Sequence, residues 1–565
     1  MKLKQKPSKQ RNTKKQARES LPTNRSLPVV GIGASAGGLE ACTELFRNLP
    51  VDTGAGFVLV QHLDPTHESV LPDILSRVTR LPVSSVQDRM KVLPDHVYVI
   101  PPNTSMTVSN GVLSLQPRQD TAGRHRPIDR FLESLAQDQS NHAIGVILSG
   151  TATDGTVGLN AIKAEGGITF AQNESAKFGS MPRSAIVAGS VDFVLPPKDI
   201  AREIARITRS LDFSTPSRAA RSKKPSQEVS PEDGFADILR TLRKRTDVDF
   251  SHYKPTTVER RIRRRMILNK QMGVRQYREF LEVTPGEVEA LYQDLLIGVT
   301  GFFRNPEVFD ALKKQIFPEI LRHRDNDETV RVWVYGCSTG EEAYSIAMAF
   351  MEYCRGRDID VPMQIFATDI NENAVERARS GLYSKATTDV SPDRLRRFFT
   401  EVDGRYQINK AIRDMCVFAR QNLITDPPFS HMDLISCRNV LIYLEAVVHR
   451  KIIPMFHYAL KSHGLLLLGA SESIGTSADL FEPADHKHKI YRKKSAAPRF
   501  DLGKVFPRSQ LRYDTAIGLV HHYLRSDGGR EYFPSIAHDG CRGFVARTFY
   551  SEDQHLSRLV FSPKP

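Results

Sequence analysis

Cysteine is scarce in this sequence, and no two cysteines stand in a C-x-x-C pair. Six cysteines are scattered over 565 residues, with the spacing of neither a disulfide framework nor a zinc site. No apolar run approaches the roughly 18 residues needed to span a bilayer. The basic N-terminus also lacks the apolar segment of a secretory signal. We therefore expect no metal site, no membrane insertion and a cytoplasmic protein with reduced thiols.

The remaining composition is typical of a chain with several folded domains. At about 150 residues per domain, 565 residues are enough for three or four. Hydrophobic residues make up 40% of the chain and charged residues 25%, which excludes a wholly disordered or coiled-coil protein. Of the net charge of +14, a balance of +8 lies in residues 1–25, which hold nine basic residues and one acidic residue. Such a segment is typical of a solvated tail, so we expect no nucleic-acid partner.

Two long stretches of the chain alternate short apolar strands with helix-length segments, which is the pattern of parallel α/β sheets. A segment rich in Ser, Pro, Lys and Arg follows the first stretch and indicates a linker. We predict an α/β protein with two doubly wound, mainly parallel sheets separated by a small helical domain. The predicted division is a basic disordered leader at 1–26, a first α/β domain at 27–210, a linker at 211–232, a helical domain at 233–322, a second α/β domain at 323–494 and an unassigned tail at 495–565.

Two chemistries fit the glycine-rich turn that follows the first predicted strand. Gly31, Gly33 and Ala36 match a dinucleotide fingerprint, in which glycines let a pyrophosphate approach a helix N-terminus. That fingerprint also requires an acidic residue after the next strand, where this chain has His62. The alternative is the nucleophile turn G-x-S-x-G, which projects Ser35 from the end of the strand.

A nucleophilic serine needs a base to take its proton, and the base needs a carboxylate to orient it. His62 and Asp154 each follow a predicted strand, and the carboxyl ends of parallel strands meet at one edge of a sheet. Taken singly, Ser35 also fits a helix cap, His62 an ordinary strand end and Asp154 a turn before glycine. Their coincidence in one sheet favours a relay of Ser35, His62 and Asp154.

Residues 28–210 resemble the catalytic domain of the chemotaxis protein-glutamate methylesterases, the CheB family. The segments that carry the resemblance are 31–38, 60–62, 153–155, 171–174 and 181–183. The resemblance implies that Ser35 is the nucleophile, His62 the general base and Asp154 its orienting acid. It also implies a glutamyl methyl ester as substrate and methanol as product. Where the family commonly has Gly-Met-Gly before the aspartate, this chain has Gly-Thr-Ala at 150–152.

A second glycine-bounded turn, at 336–340, also follows a predicted strand. The next strand ends in Asp369, a carboxylate able to accept both ribose hydroxyls of an adenosine. The chain has no G-x-x-x-x-G-K-S/T phosphate loop, so an adenosyl-sulfonium such as S-adenosylmethionine fits better than a nucleoside triphosphate. By spacing alone, an ordinary Rossmann-like turn fits equally well.

Residues 233–494 resemble the chemotaxis receptor glutamate methyltransferases, the CheR family, helical domain included. The segments that carry this resemblance are 300–304, 338–345, 367–370, 422–423 and 437–443. The family often has Asn where this chain has Gly298. The resemblance implies that S-adenosylmethionine is the cofactor and that its site is lined by Thr300, Arg304, Glu341, Asp369, Asn422, Leu423, Arg438 and Asn439.

One predicted helix combines an apolar stripe with an arginine face. The sequence TTVE at 256–259 predicts a capping box at its start. Arg260, Arg263 and Arg264 group on the side opposite the stripe. Such a face is usually only solvated, but it is also the best candidate for docking an acidic receptor helix.

The two resemblances together imply a bifunctional chemosensory enzyme. It would hydrolyse glutamyl methyl esters and methylate glutamate side chains with S-adenosylmethionine. The expected partners are the cytoplasmic domains of chemoreceptors. The alternative is an adaptor of a chemosensory complex in which one or both catalytic sites are inactive.

Overall fold

The computed structural model describes residues 27–62, 70–118, 126–212, 231–324, 328–385, 388, 390–495, 544–548 and 559–563. The chain divides into a large unit, Met1–Leu511, and a small one, Arg512–Pro565. The predicted disordered leader, most of the linker and most of the tail lie outside the described residues. None of the helices in these described ranges combines the length and the hydropathy that a bilayer-spanning segment requires.

The first domain is built on a parallel sheet covered by helices. Its strands are β1 Val29–Ala34, β2 Gly56–Gln61, β3 Val83–Ser85, β4 Met90–Lys91, β5 Val97–Val99, β6 Thr104–Ser109, β7 Val112–Pro117, β8 Ala143–Ile147, β9 Ile168–Gln172 and β10 Phe193–Leu195. Its helices are α1 Gly38–Arg47, α2 Leu71–Ser76, α3 Pro127–Gln139, α4 Thr156–Ala164, α5 Ser180–Val187 and α6 Pro197–Asp212.

Seven of these strands form one sheet in the order β10-β9-β8-β1-β2-β5-β3, with every neighbouring pair parallel. Strands β4, β7 and β6 form a small antiparallel sheet beside it. Strands β1, β8 and β9 are buried along their whole length because helices cover both faces of the sheet. The predicted doubly wound α/β fold of this domain is confirmed.

The helical domain consists of α7 Pro231–Thr246, α8 Pro255–Leu268, α9 Val274–Val283 and α10 Glu287–Leu295. Its core includes Ile238, Leu242, Ile262 and Leu291. The predicted capping box at 256–259 is wrong. Helix α8 begins at Pro255 without a side-chain cap, because a proline in the first turn presets φ and removes one N–H that would need a partner.

The second α/β domain follows. Its strands are β11 Val330–Tyr335, β12 Met363–Asp369, β13 Leu382–Ser384, β14 Phe399–Val402, β15 Arg405–Ile408, β16 Cys416–Arg420, β17 Met432–Cys437, β18 Leu460–Leu468, β19 Phe481–Asp485 and β20 Ile490–Lys493. Its helices are α11 Pro306–Ala311, α12 Phe317–Arg322, α13 Glu341–Arg355, α14 Glu372–Ser380, α15 Pro392–Phe398, α16 Lys410–Asp414 and α17 Ala446–Ala459.

The main sheet of this domain has the order β16-β12-β11-β17-β18-β20-β19. The first five strands are parallel, and β20 and β19 add antiparallel strands at one edge. This mainly parallel, Rossmann-like sheet confirms the second half of the predicted fold. The small C-terminal unit contains an antiparallel pair, β21 Phe544–Thr548 and β22 Leu559–Pro563.

The predicted domain boundary at residue 322 separates two helices from the core in which they pack. Helices α11 and α12 are joined by a π-helical turn at 312–316. Their apolar residues, such as Phe309 and Phe317, are buried together with Val332 and Ala347 of the second sheet and helix α13. The described core of the helical domain extends only to Leu296. Helices α11 and α12 therefore belong to the second α/β domain.

Candidate active sites

Ser35, His62 and Asp154 meet at the carboxyl edge of the first sheet. They follow β1, β2 and β8, which are neighbours in the sheet. Ser35 Oγ lies 3.1 Å from His62 Nδ1, and His62 Nε2 lies 2.9 Å from Asp154 Oδ2. Because a carboxylate only accepts hydrogen bonds, the proton belongs on Nε2, which leaves Nδ1 to accept from the serine hydroxyl. This arrangement can activate a serine as nucleophile.

Backbone N–H groups at the start of α3 and just before α4 hold the Asp154 carboxylate in place. Oδ1 accepts from Asp129 N and Gly155 N, both at 2.9 Å, and Oδ2 accepts from Ile128 N at 3.0 Å. Burial, followed by the charge of Asp154, raises the pKa of the neighbouring Asp129 carboxyl well above its usual range. The oxygen facing His62 is therefore fixed by the helix N-terminus, beside a carboxyl that favours its neutral form.

The glycines of β1 serve packing in this structure. A Cβ at Gly31 would lie 2.6 Å from the Leu132 side chain, and a Cβ at Gly33 would lie 2.4 Å from that of Ile128. Both contacts are impossible for a larger residue, so glycine is what allows α3 to approach β1. The dinucleotide interpretation loses its main support, because these glycines face a helix of the domain.

The segment 150–152, which departs from the family pattern, lies beside the serine turn. Ala152 adopts φ 66°, in the left-handed region that favours glycine. The preceding Ser149 ties the loop down, because its hydroxyl donates to Ala36 O at 2.9 Å and accepts from Phe178 N at 3.0 Å. The Ser35 N–H also donates to Ser149 O, at 3.0 Å. The Gly-Thr-Ala sequence at 150–152 is therefore compatible with a loop that is hydrogen-bonded to the serine turn.

A cavity of about 430 Å³ lies at the carboxyl edge of the second sheet, and the helical domain forms part of its wall. Its volume is in the range of small-molecule sites. The structure brings seven of the eight predicted cofactor residues together on its lining: Thr300, Arg304, Asp369, Asn422, Leu423, Arg438 and Asn439.

Asp369 and Arg438 connect the backbone segments that line this cavity. Asp369 Oδ2 accepts from Ser338 N at 2.8 Å and Oδ1 accepts from Asn371 N at 2.9 Å, while burial raises its pKa. Arg438 pairs with Glu342 at 3.2 Å and donates to Arg304 O at 2.9 Å. Asp369 thus joins the glycine turn to the cavity, and Arg438 holds the segment that carries Arg304.

Glu341, the eighth predicted cofactor residue, lies outside the lining of the cavity. It begins helix α13, and its carboxylate accepts the Thr339 hydroxyl, with Oε2 at 2.7 Å. Burial raises the pKa of Glu341 to about 7. Its neighbour Glu342 faces the cavity instead, because consecutive residues of a helix point in directions about 100° apart.

Several lining residues were not predicted. Tyr253 and His252 come from the helical domain, and Tyr335 comes from the end of β11. Tyr443 also lines the cavity, within the segment 437–443 that carries the family resemblance. That motif was the signal for Tyr443. No sequence spacing links the two helical-domain residues to a site that is formed about a hundred residues later in the chain.

The predicted docking face on α8 is largely an internal contact, and for Arg264 the prediction is wrong. Arg264 is only 1% exposed; it pairs with Asp192 and Asp294, and its Nε donates to Gly167 O at 3.1 Å. Asp192 and Gly167 belong to the first domain, so α8 is sandwiched between that domain and its own core. Arg260 and Arg263 keep 30% and 32% exposure of their side chains.

The chemistry of the cavity fits S-adenosylmethionine. Carboxylates suit ribose hydroxyls and a cationic sulfonium or ammonium group, and Asp369 and Glu342 supply them. Arg243 and Arg304 on the same lining suit the carboxylate of an amino acid. Tyr253 adds an aromatic wall. No metal is needed for this recognition.

A serine–histidine–aspartate relay on one parallel sheet and an adenosine-type cavity on another define a chain with a hydrolase domain and a methyltransferase domain. Family comparisons agree with this division. Residues 30–204 match the CheB methylesterase family, residues 233–296 the all-alpha domain of CheR methyltransferases and residues 298–490 the CheR SAM-binding domain. The chain belongs to the CheB methylesterase and CheR methyltransferase families, joined in one polypeptide.

Individual relatives cover different parts of the chain. It is 36% identical over 450 residues to a Rhodobacter capsulatus protein described as an uncharacterized 104.1 kDa protein, covering 76% of this chain but 47% of that protein. It is 34% identical to putative methyltransferase Cher3 of Pseudomonas putida, covering 43% of this chain and 91% of that one. A chemotaxis protein methyltransferase of Listeria monocytogenes is 32% identical, with 44% and 93% covered.

Among solved structures, the catalytic domain of the Thermotoga maritima CheB methylesterase is 31% identical. The match covers 32% of this chain and all of that one, with a TM-score of 0.31. The chain thus spans about half the length of its Rhodobacter relative and nearly the whole length of the two methyltransferases.

Proposed function

We propose that this chain removes and adds methyl groups on glutamate side chains of chemoreceptor cytoplasmic domains. The observation that carries the proposal is the presence, in one chain, of a hydrogen-bonded Ser35–His62–Asp154 relay and a cavity suited to S-adenosylmethionine. The proposed domains are an esterase at 27–210, a helical domain at 231–296 and a transferase at 298–494. The proposed compartment is the cytoplasm, where such receptor domains are reached.

In the esterase reaction, Ser35 Oγ attacks the ester carbonyl and its proton passes to His62 Nδ1. The tetrahedral intermediate expels methoxide, which takes that proton and leaves as methanol. A water molecule, deprotonated by His62, then hydrolyses the acyl-enzyme and frees the glutamate. Asp154 stabilises the imidazolium that forms twice in the cycle, through its 2.9 Å contact with Nε2.

The oxyanion of this intermediate needs N–H donors near Ser35. The N–H groups of Ala36 and Gly37 lie between Ser35 and helix α1. Among the described residues, neither of them donates a hydrogen bond to a protein acceptor. They lie at a helix N-terminus, where the macrodipole favours negative charge. We assign the oxyanion contacts to these two groups.

In the transferase reaction, the cofactor supplies an electrophilic methyl group on a sulfonium. Asp369, Arg438 and the other lining residues would hold it, and Glu341, which precedes the lining residue Glu342 at the start of α13, stays a predicted contact. The acceptor glutamate is already ionised at neutral pH. The protein therefore has only to align the carboxylate oxygen with the methyl group, and no general base is required.

The receptor-docking surface on α8 reduces to Arg260 and Arg263. We expect the double variant Arg260→Ala/Arg263→Ala to raise the receptor KM and to weaken its dependence on salt, because exposed charges act mainly on encounter. Cofactor affinity should not change. Receptor kinetics equal to wild type at every salt concentration would remove α8 from the docking site.

The proposed function is tested with the full chain, methyl-labelled S-adenosylmethionine and a panel of receptor cytoplasmic fragments. Label uptake measures the transferase, and methanol release from pre-methylated fragments measures the esterase. We expect both activities on the same fragment. If wild type shows neither on any fragment, the adaptor interpretation replaces the enzyme.

A further inference from the structure

Glu472, in the loop after β18, forms an unusual set of contacts with the backbone. Its Oε2 accepts from Gly469 N at 2.7 Å and from Asn439 N at 3.0 Å. Its Oε1 accepts from Val440 N at 2.9 Å and from Ile442 N at 3.2 Å. Glu472 is 5% exposed. Since a carboxylate offers about four acceptor sites, this one is filled by four main-chain donors.

Two of these four donors lie on the lining of the cofactor cavity, and a third, Ile442, belongs to the same loop. Asn439 and Val440 line the cavity, while Glu472 does not. Asn439 adopts φ 60°, in the left-handed region, so its backbone needs support from elsewhere. Among the described residues, the Glu472 carboxylate is the acceptor for the N–H groups of Asn439 and Val440.

The same loop packs against the glycine turn of the cofactor site. A Cβ at Gly336, which has φ 70°, would lie 2.2 Å from Val440 Cγ2. On the opposite side, Lys254 N donates to Tyr443 O at 2.9 Å. A shift of the loop would therefore change the shape of the cavity at the turn and at Tyr443.

We propose that Glu472 is a positioning residue of the methyltransferase, which holds the loop 438–443 in the shape that the cofactor requires. It acts through Asn439 and Val440, without touching the cofactor. The proposal rests on the transferase function proposed above. It adds a residue that the cavity lining does not contain.

The test is Glu472→Gln in the full chain. The amide replaces one acceptor oxygen by an NH₂ group that faces N–H donors. Loss of one or two hydrogen bonds to a charged group corresponds to an affinity for S-adenosylhomocysteine that is about ten- to a hundredfold weaker, measured by calorimetry. The matched control is Glu482→Gln on β19, where the carboxylate pairs with the Arg492 side chain and is 46% exposed. The control should bind as wild type does.

Trp333, the single tryptophan of the chain, distinguishes a local from a global effect. It is buried in β11, and its Nε1 donates to Thr368 Oγ1 at 3.0 Å, so its emission reports on the folding of the second sheet. Weaker binding with unchanged emission supports the proposal. If Glu472→Gln binds as tightly as wild type, the proposal is overturned.

If the emission shows that the variant is unfolded, amide hydrogen exchange in the wild-type chain tests the proposal instead. S-adenosylhomocysteine should slow exchange of the Asn439, Val440 and Ile442 amides at least about tenfold, because cofactor binding favours the anchored loop. Unchanged exchange overturns the proposal. A wild-type chain that does not bind S-adenosylhomocysteine refutes the proposed function instead, which separates the two failures.

Discussion

Replacing Arg264 with alanine should destabilise the large unit by several kcal/mol. The guanidinium is buried between Asp192 and Asp294 and also donates to Gly167 O at 3.1 Å. Removing one partner of a buried ion pair typically costs about 3–5 kcal/mol, because the remaining charge stays buried without compensation. Here Asp192 retains Lys163 at 3.6 Å and Asp294 retains Arg265 at 3.7 Å. We therefore expect the lower end, about 3 kcal/mol.

The measurement is equilibrium urea unfolding followed by circular dichroism, with stability taken from the midpoint and slope. Arg263→Ala is the matched control on the same helix. Its ion pair with Glu259 is 3.9 Å long and partly exposed, and its guanidinium lies 5.4 Å from the centre of the Phe235 ring, so its loss should cost only about 1 kcal/mol. Both variants remove one arginine, and the difference between them isolates the effect of burial.

The reasoning is refuted if Arg264→Ala and Arg263→Ala unfold at the same urea concentration. A second comparison tests the cause. The variant Arg264→Met/Asp192→Asn/Asp294→Asn removes all three charges together; Arg265 keeps Glu287 at 2.7 Å and Lys163 is 29% exposed, so neither neighbouring cation is left buried without a partner. It should recover most of the stability lost in Arg264→Ala. A triple variant as unstable as the single one would show that the contact acts by packing rather than by charge.

Three further predictions address the two sites. Ser35→Ala should abolish methanol release and leave methyl transfer intact; equal ester hydrolysis by variant and wild type would contradict the relay. Asp369→Ala should weaken S-adenosylhomocysteine binding by roughly 1.5–3 kcal/mol in calorimetry, whereas tight NAD binding by wild type would restore the dinucleotide interpretation. Burial raises the pKa of Glu341 from 4.5 to about 7, so the folded state holds its proton more tightly and unfolding free energy should fall by about 3 kcal/mol as pH rises through that interval. Glu341→Gln should remove this loss, and identical pH profiles for the two proteins would disprove it.

The arrangement of each site follows from local sequence to a large extent. Ser35 and His62 come directly after apolar strands and Asp154 lies in the loop that follows a third, and parallel strands present their carboxyl ends at one edge. Strand periodicity therefore predicted that these side chains lie near one another before any contact was known. The same reasoning predicted Asp369 at the second sheet, because it ends β12 beside the glycine turn.

Other features depend on surfaces that meet only in the folded chain. The arginine side of α8 has the composition of a solvated face, yet Arg264 is buried because the first domain covers it. Likewise, α11 and α12 follow the helical domain in sequence but pack on the second sheet, and Tyr253 reaches a cavity built mainly by later residues.

Sequence by itself thus determined the two sheets, the relay at the first and the carboxylate at the second. These features arise from periodicity and strand-end position, which act over a few residues. Only the tertiary structure decided that Arg264 is a buried contact and that the Glu472 carboxylate accepts from the loop at Asn439. Such contacts join segments tens of residues apart, and their partners are chosen by packing, which leaves no local pattern in the chain.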